Sequence, residues 1–449
     1  MHPAEPAFVL PRAAMQGRGL TVKLLVLSLI VLLPFQWLKL ADAGGFALKL
    51  PYAVPLMAMA GAALHPRLRA GLLGWFRESW PWFVPYLFYI LLILPAYYGS
   101  IAQGSPVRQG FFAVGAAAFG AAVAMLRDPT ATMRTAGFLG VAGFVLVTEF
   151  LGRQIDTSWA EAIGHFFGGD LNFVIYAFLR KVFNVAGDPD DNLAILASEK
   201  NAVSASLFVA LAMFRAGTRR RLDLWGMAAM VPMLGLMVIL NTRSVLLPLT
   251  LGLMLVGLIQ MRQVPATDRP LRALLLVLAS VVVVGGLIAL LNTDPLYGML
   301  NARFSLGDAS SASRVEQQAW AMAHIEEAIL LGNGYMQIDE HPVHNLFLGA
   351  FLHGGILPFL LVVTFYLAVL VQWLRFLARI FLTPGFWHLP LRVEWVAMLP
   401  LLPLIRVWLV GDSGHPSLAE WTALALFFGF CAANRRAWLT AAMQANKGV

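Results

Sequence analysis

The feature that most constrains this chain is a repeating alternation of long apolar runs with short arginine clusters. Apolar stretches of 13 to 26 residues are, with their flanks, helix-spanning in length, and they lack the alternation of membrane strands. They run over Leu24–Leu38, Pro51–Leu64, Trp82–Tyr97, Gly110–Leu126, Gly137–Leu151, Asn201–Phe214, Trp225–Leu240, Val245–Gln260, Ala273–Leu291, Leu346–Val371, Trp395–Val410 and Leu418–Phe430. Between them stand Arg12, Arg18 and Lys23; Arg67, Arg69 and Arg77; Arg127 and Arg134; Arg215, Arg219, Arg220 and Arg221; Arg262, Arg269 and Arg272; Arg375, Arg379 and Arg392; Arg435 and Arg436. If every run crosses a membrane, every cluster falls on one face, as the positive-inside bias demands.

The expectation is an all-α integral membrane protein of about twelve spans, with both termini cytoplasmic. Only 12% of its 449 residues are charged and 59% are hydrophobic, against roughly 25% charged in soluble domains. The net charge of +8 is therefore topological, and a nucleic-acid partner is not expected. The single cysteine, Cys431, excludes an internal disulfide framework. Ala41-Asp42-Ala43 has the small residues of a signal-peptide cleavage site, but the N-terminus is expected to be retained.

Residues 1–449 read as one polytopic membrane domain with two long connections on the extracytoplasmic side, 153–200 and 292–345. The first contains HFFGGDLNFVIYAFLRKVF, whose aromatic and basic residues suit a helix lying in the interface. The second is about fifty mostly polar residues, and connections of that length tend to carry function.

The second loop holds Arg303, Arg314, His324, His341 and His344. Ser313 followed by Glu316 fits a capping box, which predicts a helix from Arg314 to about Leu331, stopped at Gly332-Asn333-Gly334. Arg314 would then sit at a helix N-terminus, where free N–H groups and the dipole favour a phosphate; the alternative is a capped surface helix that starts with a basic residue. Arg243, in Asn241-Thr242-Arg243-Ser244, interrupts an otherwise continuous apolar run on the face where basic residues are sparse. It could snorkel, or grip a diphosphate with its planar fork.

His341-Pro342-Val343-His344-Asn345 precedes the apolar run at Leu346. No HExxH or Cys/His set accompanies it, so no metal is expected, whereas a histidine near neutral pKa is suited to take a proton from a hydroxyl. Glu199-Lys200-Asn201 opens another span on the same side, where Lys200 is either a phosphate partner or a helix-end lysine. Arg153 and Arg406, at outer ends of apolar runs, are weaker candidates. Asp412 and His415 suit a turn, and Gly354-Gly355 suits a kink or a close helix approach.

Together these pieces resemble the O-antigen ligase and polymerase superfamily. The resemblance is carried by Lys200-Asn201, Arg243, Ser311-Ala312-Ser313-Arg314 with Trp320, LLGNGY (330–335) and HNLFLGAFLHGGIL (344–357), all within the second half or so of the chain. The chain departs from that pattern at His353, where Glu is common before the glycine pair, and at NTRS, where SxSR-like sequences are commoner.

The resemblance implies a metal-independent, cofactor-free, inverting glycosyltransferase of C-type transmembrane architecture in the bacterial inner membrane. It would work at the periplasmic face on a glycan carried by undecaprenyl diphosphate. It also implies that Arg243 and Arg314 hold the diphosphate, with Lys200 and Asn201 beside them, and that His344 deprotonates the acceptor hydroxyl. Arg303, Asn345 and His341 are further candidates by position. The acceptor would be lipid A–core for a ligase, or a second lipid-linked repeat for a polymerase. A lipid-linked oligosaccharide flippase is the rival of a different class, although the spans carry few charges and no inverted repeat is visible.

Overall fold

The computed structural model describes residues 22–28, 30–31, 33, 39–43, 46–49, 66–97, 105–170, 173–180, 182, 200–218, 230, 233–238, 240, 243–262, 270, 309–326, 329–333, 345–383, 385–409 and 416–445. Their regular structure is helical apart from one short hairpin. Its strands are β1 (Lys39–Ala43) and β2 (Phe46–Lys49), antiparallel, with Ala43 opposite Phe46 across Gly44-Gly45. The hairpin is a small addition to the helical architecture expected. Gly-Gly between strand-length segments is a favoured two-residue connection.

The helices are α1 (Pro66–Ile93), α2 (Ser105–Ala124), α3 (Pro129–Gln154), α4 (Trp159–Phe167), α5 (Lys200–Ala216), α6 (Arg243–Arg262), α7 (Ala309–Ala323), α8 (Leu346–Gly354), α9 (Ile356–Leu382), α10 (Val393–Ala397), α11 (Leu401–Leu409) and α12 (Leu418–Ala445). Among the described residues, four stretches are long and apolar enough to cross a membrane: Pro106–Ala124, Pro129–Arg153, Ser244–Arg262 and Ile356–Leu382. The runs Pro51–Leu64 and Ala273–Leu291 lie outside the described residues, and Leu24–Leu38 and Trp225–Leu240 are described only in part.

Local chemistry sets the starts. Asp128 accepts from the Ala131 amide at 3.0 Å, with Pro129 in the first turn of α3. Ser158 accepts from the Glu161 amide ahead of α4. Ser417 donates through both its amide and its hydroxyl to Glu420, each at 2.7 Å, while the Glu420 amide donates back to Ser417 Oγ. That reciprocal pair is a capping box, and it fixes where α12 begins.

Three expected continuous segments are broken, each for a local reason. Leu346–Val371 divides into α8 and α9 at Gly355, whose φ of +84° is left-handed and cheap only for glycine. Trp395–Val410 divides into α10 and α11 around Pro400, which has no N–H to continue the ladder. The expected interfacial helix divides into α4 and a π-helical stretch, Phe173–Arg180. Gly169 (φ +82°) turns the chain there, and Asp170 Oδ1 accepts from the Phe173 amide. The exposed Ile163, Phe166 and Phe167 of α4 keep the apolar face of an interfacial helix.

α1, α2, α9 and α12 pack around an aromatic centre. Tyr86 lies 4.7 Å from Phe365 and 4.9 Å from Trp421, ring centre to ring centre, and Trp82 lies 5.0 Å from Phe428. Gln109 on α2 accepts from Trp421 Nε1 at 3.2 Å and from Tyr86 at 3.4 Å, so the buried indole and phenol are satisfied from one amide. A second group forms where α3 packs on α5, and α5 on α10. A Cβ on Gly137 would run into the Ala210 carbonyl and Phe214, so α3 and α5 meet backbone to backbone.

Candidate functional site

The site is assembled at the helix end from which α5, α6, α8 and α12 start. Arg406 of α11 ties three of these starts together, those of α5, α6 and α12. Its Nη1 donates to the Asn201 carbonyl at 3.3 Å and to Ser244 Oγ at 3.5 Å, and its Nε lies 3.3 Å from Glu420 Oε2. Arg406, Ser244 and Glu420 are all buried. A buried guanidinium is tolerable when its charge is met: here the Glu420 carboxylate faces it at ion-pair distance and Nη1 is hydrogen-bonded to a carbonyl and a hydroxyl from two other helices, while Nε makes no hydrogen bond among the described residues. Arg406 is therefore occupied by protein groups and acts as a strut.

Through that strut the starts of α5 and α6 are held side by side. α5 opens with Lys200-Asn201 and α6 with Arg243-Ser244, and neither has an acidic residue in its first turn. A cation at the positive end of a helix is electrostatically unfavourable by itself. Two such ends, with their unpaired N–H groups, form a place where an anion is stabilised. Of Lys200, Arg243 and Arg314 the structure describes the backbone only.

α8 joins the same end. Asn345 caps it, Oδ1 accepting from the Phe347 amide at 2.9 Å and the Leu348 amide at 3.2 Å. The Phe347 ring lies 4.9 Å from Trp408 on α11, two residues beyond Arg406. Asn345 thus has a capping role, one that fixes the chain immediately after His344. His344, His341 and Arg303 lie outside the described residues.

The late loop docks onto α8. Ala321 and Trp320 of α7 pack with Leu348, Phe351 and Leu352. Beyond α7 the LLGNGY segment crosses the α8–α9 break: the Asn333 amide donates to the Leu352 carbonyl at 2.6 Å and the Ile356 amide to the Ile329 carbonyl at 2.9 Å. Gly332 (φ +70°) faces the His353–Gly354 backbone, where a Cβ would collide with the Gly354 amide nitrogen. A Cβ on Gly355 would collide with the Leu330 carbonyl oxygen. The two glycine motifs noted separately in the sequence are one interlocked contact.

The helix expected to begin at Arg314 begins at Ala309 instead, and it ends at Ala323 rather than near Leu331. Arg314 is an interior residue of its second turn, so the helix-terminus argument does not apply to it. Serines are tolerated in a first turn, so Ser310 and Ser311 allow the helix to start upstream of the Ser313–Glu316 box. The early stop comes from His324. Its ring stacks on Trp320 at 4.3 Å, Nδ1 meets the Trp320 carbonyl at 2.8 Å, and its amide is shared between the Trp320 and Ala321 carbonyls.

Arg153, at the C-terminal end of α3, is engaged by protein groups. Its Nε lies 2.7 Å from Glu149, one turn earlier on an exposed face, and Glu149 also accepts from the Trp159 amide at 2.8 Å. That pair fixes the α3–α4 corner. Glu420 is the member of the site that sequence reading missed, although Ser417-Leu418-Ala419-Glu420 carries the spacing that would have found it. Among the described residues no group of three His, Cys, Asp or Glu side chains is placed to hold a metal ion. No protein-family model matches this chain, and no curated protein matches it.

Proposed function

We propose that this chain is an inverting, metal-independent glycosyltransferase of the O-antigen ligase kind. In this reading about twelve spans in a C-type arrangement lie in the bacterial inner membrane, with both termini cytoplasmic and the Arg406 end facing the periplasm. The donor is a glycan on undecaprenyl diphosphate and the acceptor a hydroxyl of lipid A–core.

The observation that carries this reading is the pairing of two helix starts, Lys200-Asn201 and Arg243-Ser244, by the buried Arg406. A diphosphate is the anion such a place suits: two phosphates, each able to take N–H groups and a cation. Arg243 holds the diphosphate from the start of α6, and Lys200 contributes a point charge from α5. Arg314 of α7 is assigned the second grip on the diphosphate; the packing of Trp320 and Ala321 of the same helix on α8 supports this.

The reaction follows from those roles. His344 takes the proton of the acceptor hydroxyl, whose oxygen attacks the anomeric carbon from the face opposite the diphosphate. The bond from that carbon to the phosphate oxygen breaks, and undecaprenyl diphosphate leaves with its developing charge stabilised by the arginines. Inversion follows from a single displacement. The spans carry few charges, which suits chemistry at the membrane surface better than translocation through it.

The reading is tested by assaying transfer from the lipid-linked glycan with Arg243→Ala and Arg314→Ala proteins whose unfolding matches the wild type. Loss of transfer in both is expected. Full activity in both would remove the diphosphate clamp.

A further inference from the structure

About 22 Å along α12 from Glu420, by the rise of a helix, α9 and α12 flank an open cavity of about 760 Å³. Its inner wall is the buried Phe376, Phe427 and Phe428. Its exposed rim is basic, with Arg375 and Arg379 from α9 and Arg435 from α12. The acidic side chain lining it is Glu78 of α1, and Arg435 already pairs with that carboxylate at 3.0 Å. Arg375 and Arg379 have no ion-pair partner among the described residues; Arg379 lies over the Phe386 ring at 5.8 Å.

Arg375 and Arg379 stand four residues apart on one helix face, a spacing at which like charges repel. An anion between them removes that penalty. The cavity is also of the size that holds a ligand rather than a single ion, roughly 300–1,000 Å³. Its surroundings are those of a lipid boundary: Trp438 on the rim is 52% exposed, and Leu374 and Leu382 on α9 are 50% and 78% exposed. Aromatic rims and apolar flanks beside arginines suit an amphiphile whose head is anionic and whose chains run along the helices.

We propose that this cavity binds an anionic membrane phospholipid, its phosphate between Arg375 and Arg379 and its acyl chains along the exposed leucine face of α9. The site is remote from the Arg406 end and does not depend on the transferase reading.

The test is native mass spectrometry of the full chain in detergent, with phosphatidylglycerol or phosphatidylcholine added. The wild type is expected to retain phosphatidylglycerol selectively. Arg375→Gln/Arg379→Gln should weaken that retention roughly thirtyfold, while Arg69→Gln/Arg436→Gln, which removes equal charge outside the cavity, should leave it unchanged. Equal loss in both double variants, or equal retention of phosphatidylcholine by the wild type, would overturn the proposal. So would arginine-dependent binding of inorganic phosphate without retention of phosphatidylglycerol, which would make this a free-anion site.

Discussion

Arg406 donates a hydrogen bond from Nη1 to the carbonyl of Asn201, 3.3 Å away and 205 positions earlier in the chain. The same nitrogen reaches Ser244, and Nε faces Glu420. One side chain thus sets the spacing of three helix starts. Removing it leaves Glu420 buried without its cation. Arg406→Ala is expected to cost about 3–5 kcal/mol of stability. Arg406→Lys keeps the charge but cannot reach all three groups, and should fall between. Thermal unfolding in detergent reads both; a wild-type midpoint for Arg406→Ala would refute the strut.

Gly332 and Gly355 meet with left-handed backbones where the loop crosses the α8–α9 break. Alanine carries about 1 kcal/mol of backbone strain at Gly332 and roughly 1–3 kcal/mol at Gly355, whose ψ of −164° falls in a region essentially reserved for glycine, and at both it drives Cβ into backbone. Gly332→Ala should release the loop while leaving the membrane helices folded. Limited proteolysis is the readout: faster cleavage within 292–345, with unchanged cleavage elsewhere, is expected, and wild-type protection of the loop would show that the interlock does not hold it.

Asn345 satisfies two amides at the start of α8. Asn345→Ala should cost about 1 kcal/mol, and Asn345→Asp, which keeps an acceptor oxygen, much less. Because His344 is the preceding residue, the alanine variant is also expected to lower transfer more than it lowers stability. Turnover measured beside the unfolding midpoint separates the two effects. An aspartate variant as inactive as the alanine one would argue that Asn345 touches substrate rather than capping α8.

The proposed clamp would have a geometric signature. If Arg243 and Arg314 grip the diphosphate with planar forks, Arg→Lys at either position should reduce transfer by tenfold or more despite the retained charge. His344→Ala should reduce turnover by roughly 10²–10⁴-fold. Wild-type turnover of His344→Ala at neutral pH would exclude the proton transfer assigned to it.

The membrane character and the order of helices were legible because hydropathy and arginine placement are read residue by residue. α3, α5 and α6 contain the expected Gly137–Leu151, Asn201–Phe214 and Val245–Gln260 runs, and α2 covers Gly110–Leu126 up to Ala124. The break at Gly355 was legible as a kink or close approach at Gly354-Gly355, while the one at Pro400 was not. Whether Gly355 or Pro400 bends a helix or ends it is decided by what packs across it, and for Gly355 that is the Ile329–Asn333 segment. The start of α7 was misplaced because a capping box is permissive, and residues upstream of it can extend the helix. Lys200 and Arg243 could be picked out as helix-start cations. That they share one end, and that Arg406 is consumed in holding them there, depends on contacts between helices far apart in sequence.

The most direct measurement of the central claim supplies purified protein with undecaprenyl-diphosphate-linked glycan, lipid A–core and EDTA, and asks which glycolipid gains mass. The account predicts that lipid A–core gains the glycan with EDTA present. Longer lipid-linked chains beside unmodified core would contradict the ligase assignment and make the protein a polymerase. No transfer to either acceptor by folded protein would contradict the transferase itself.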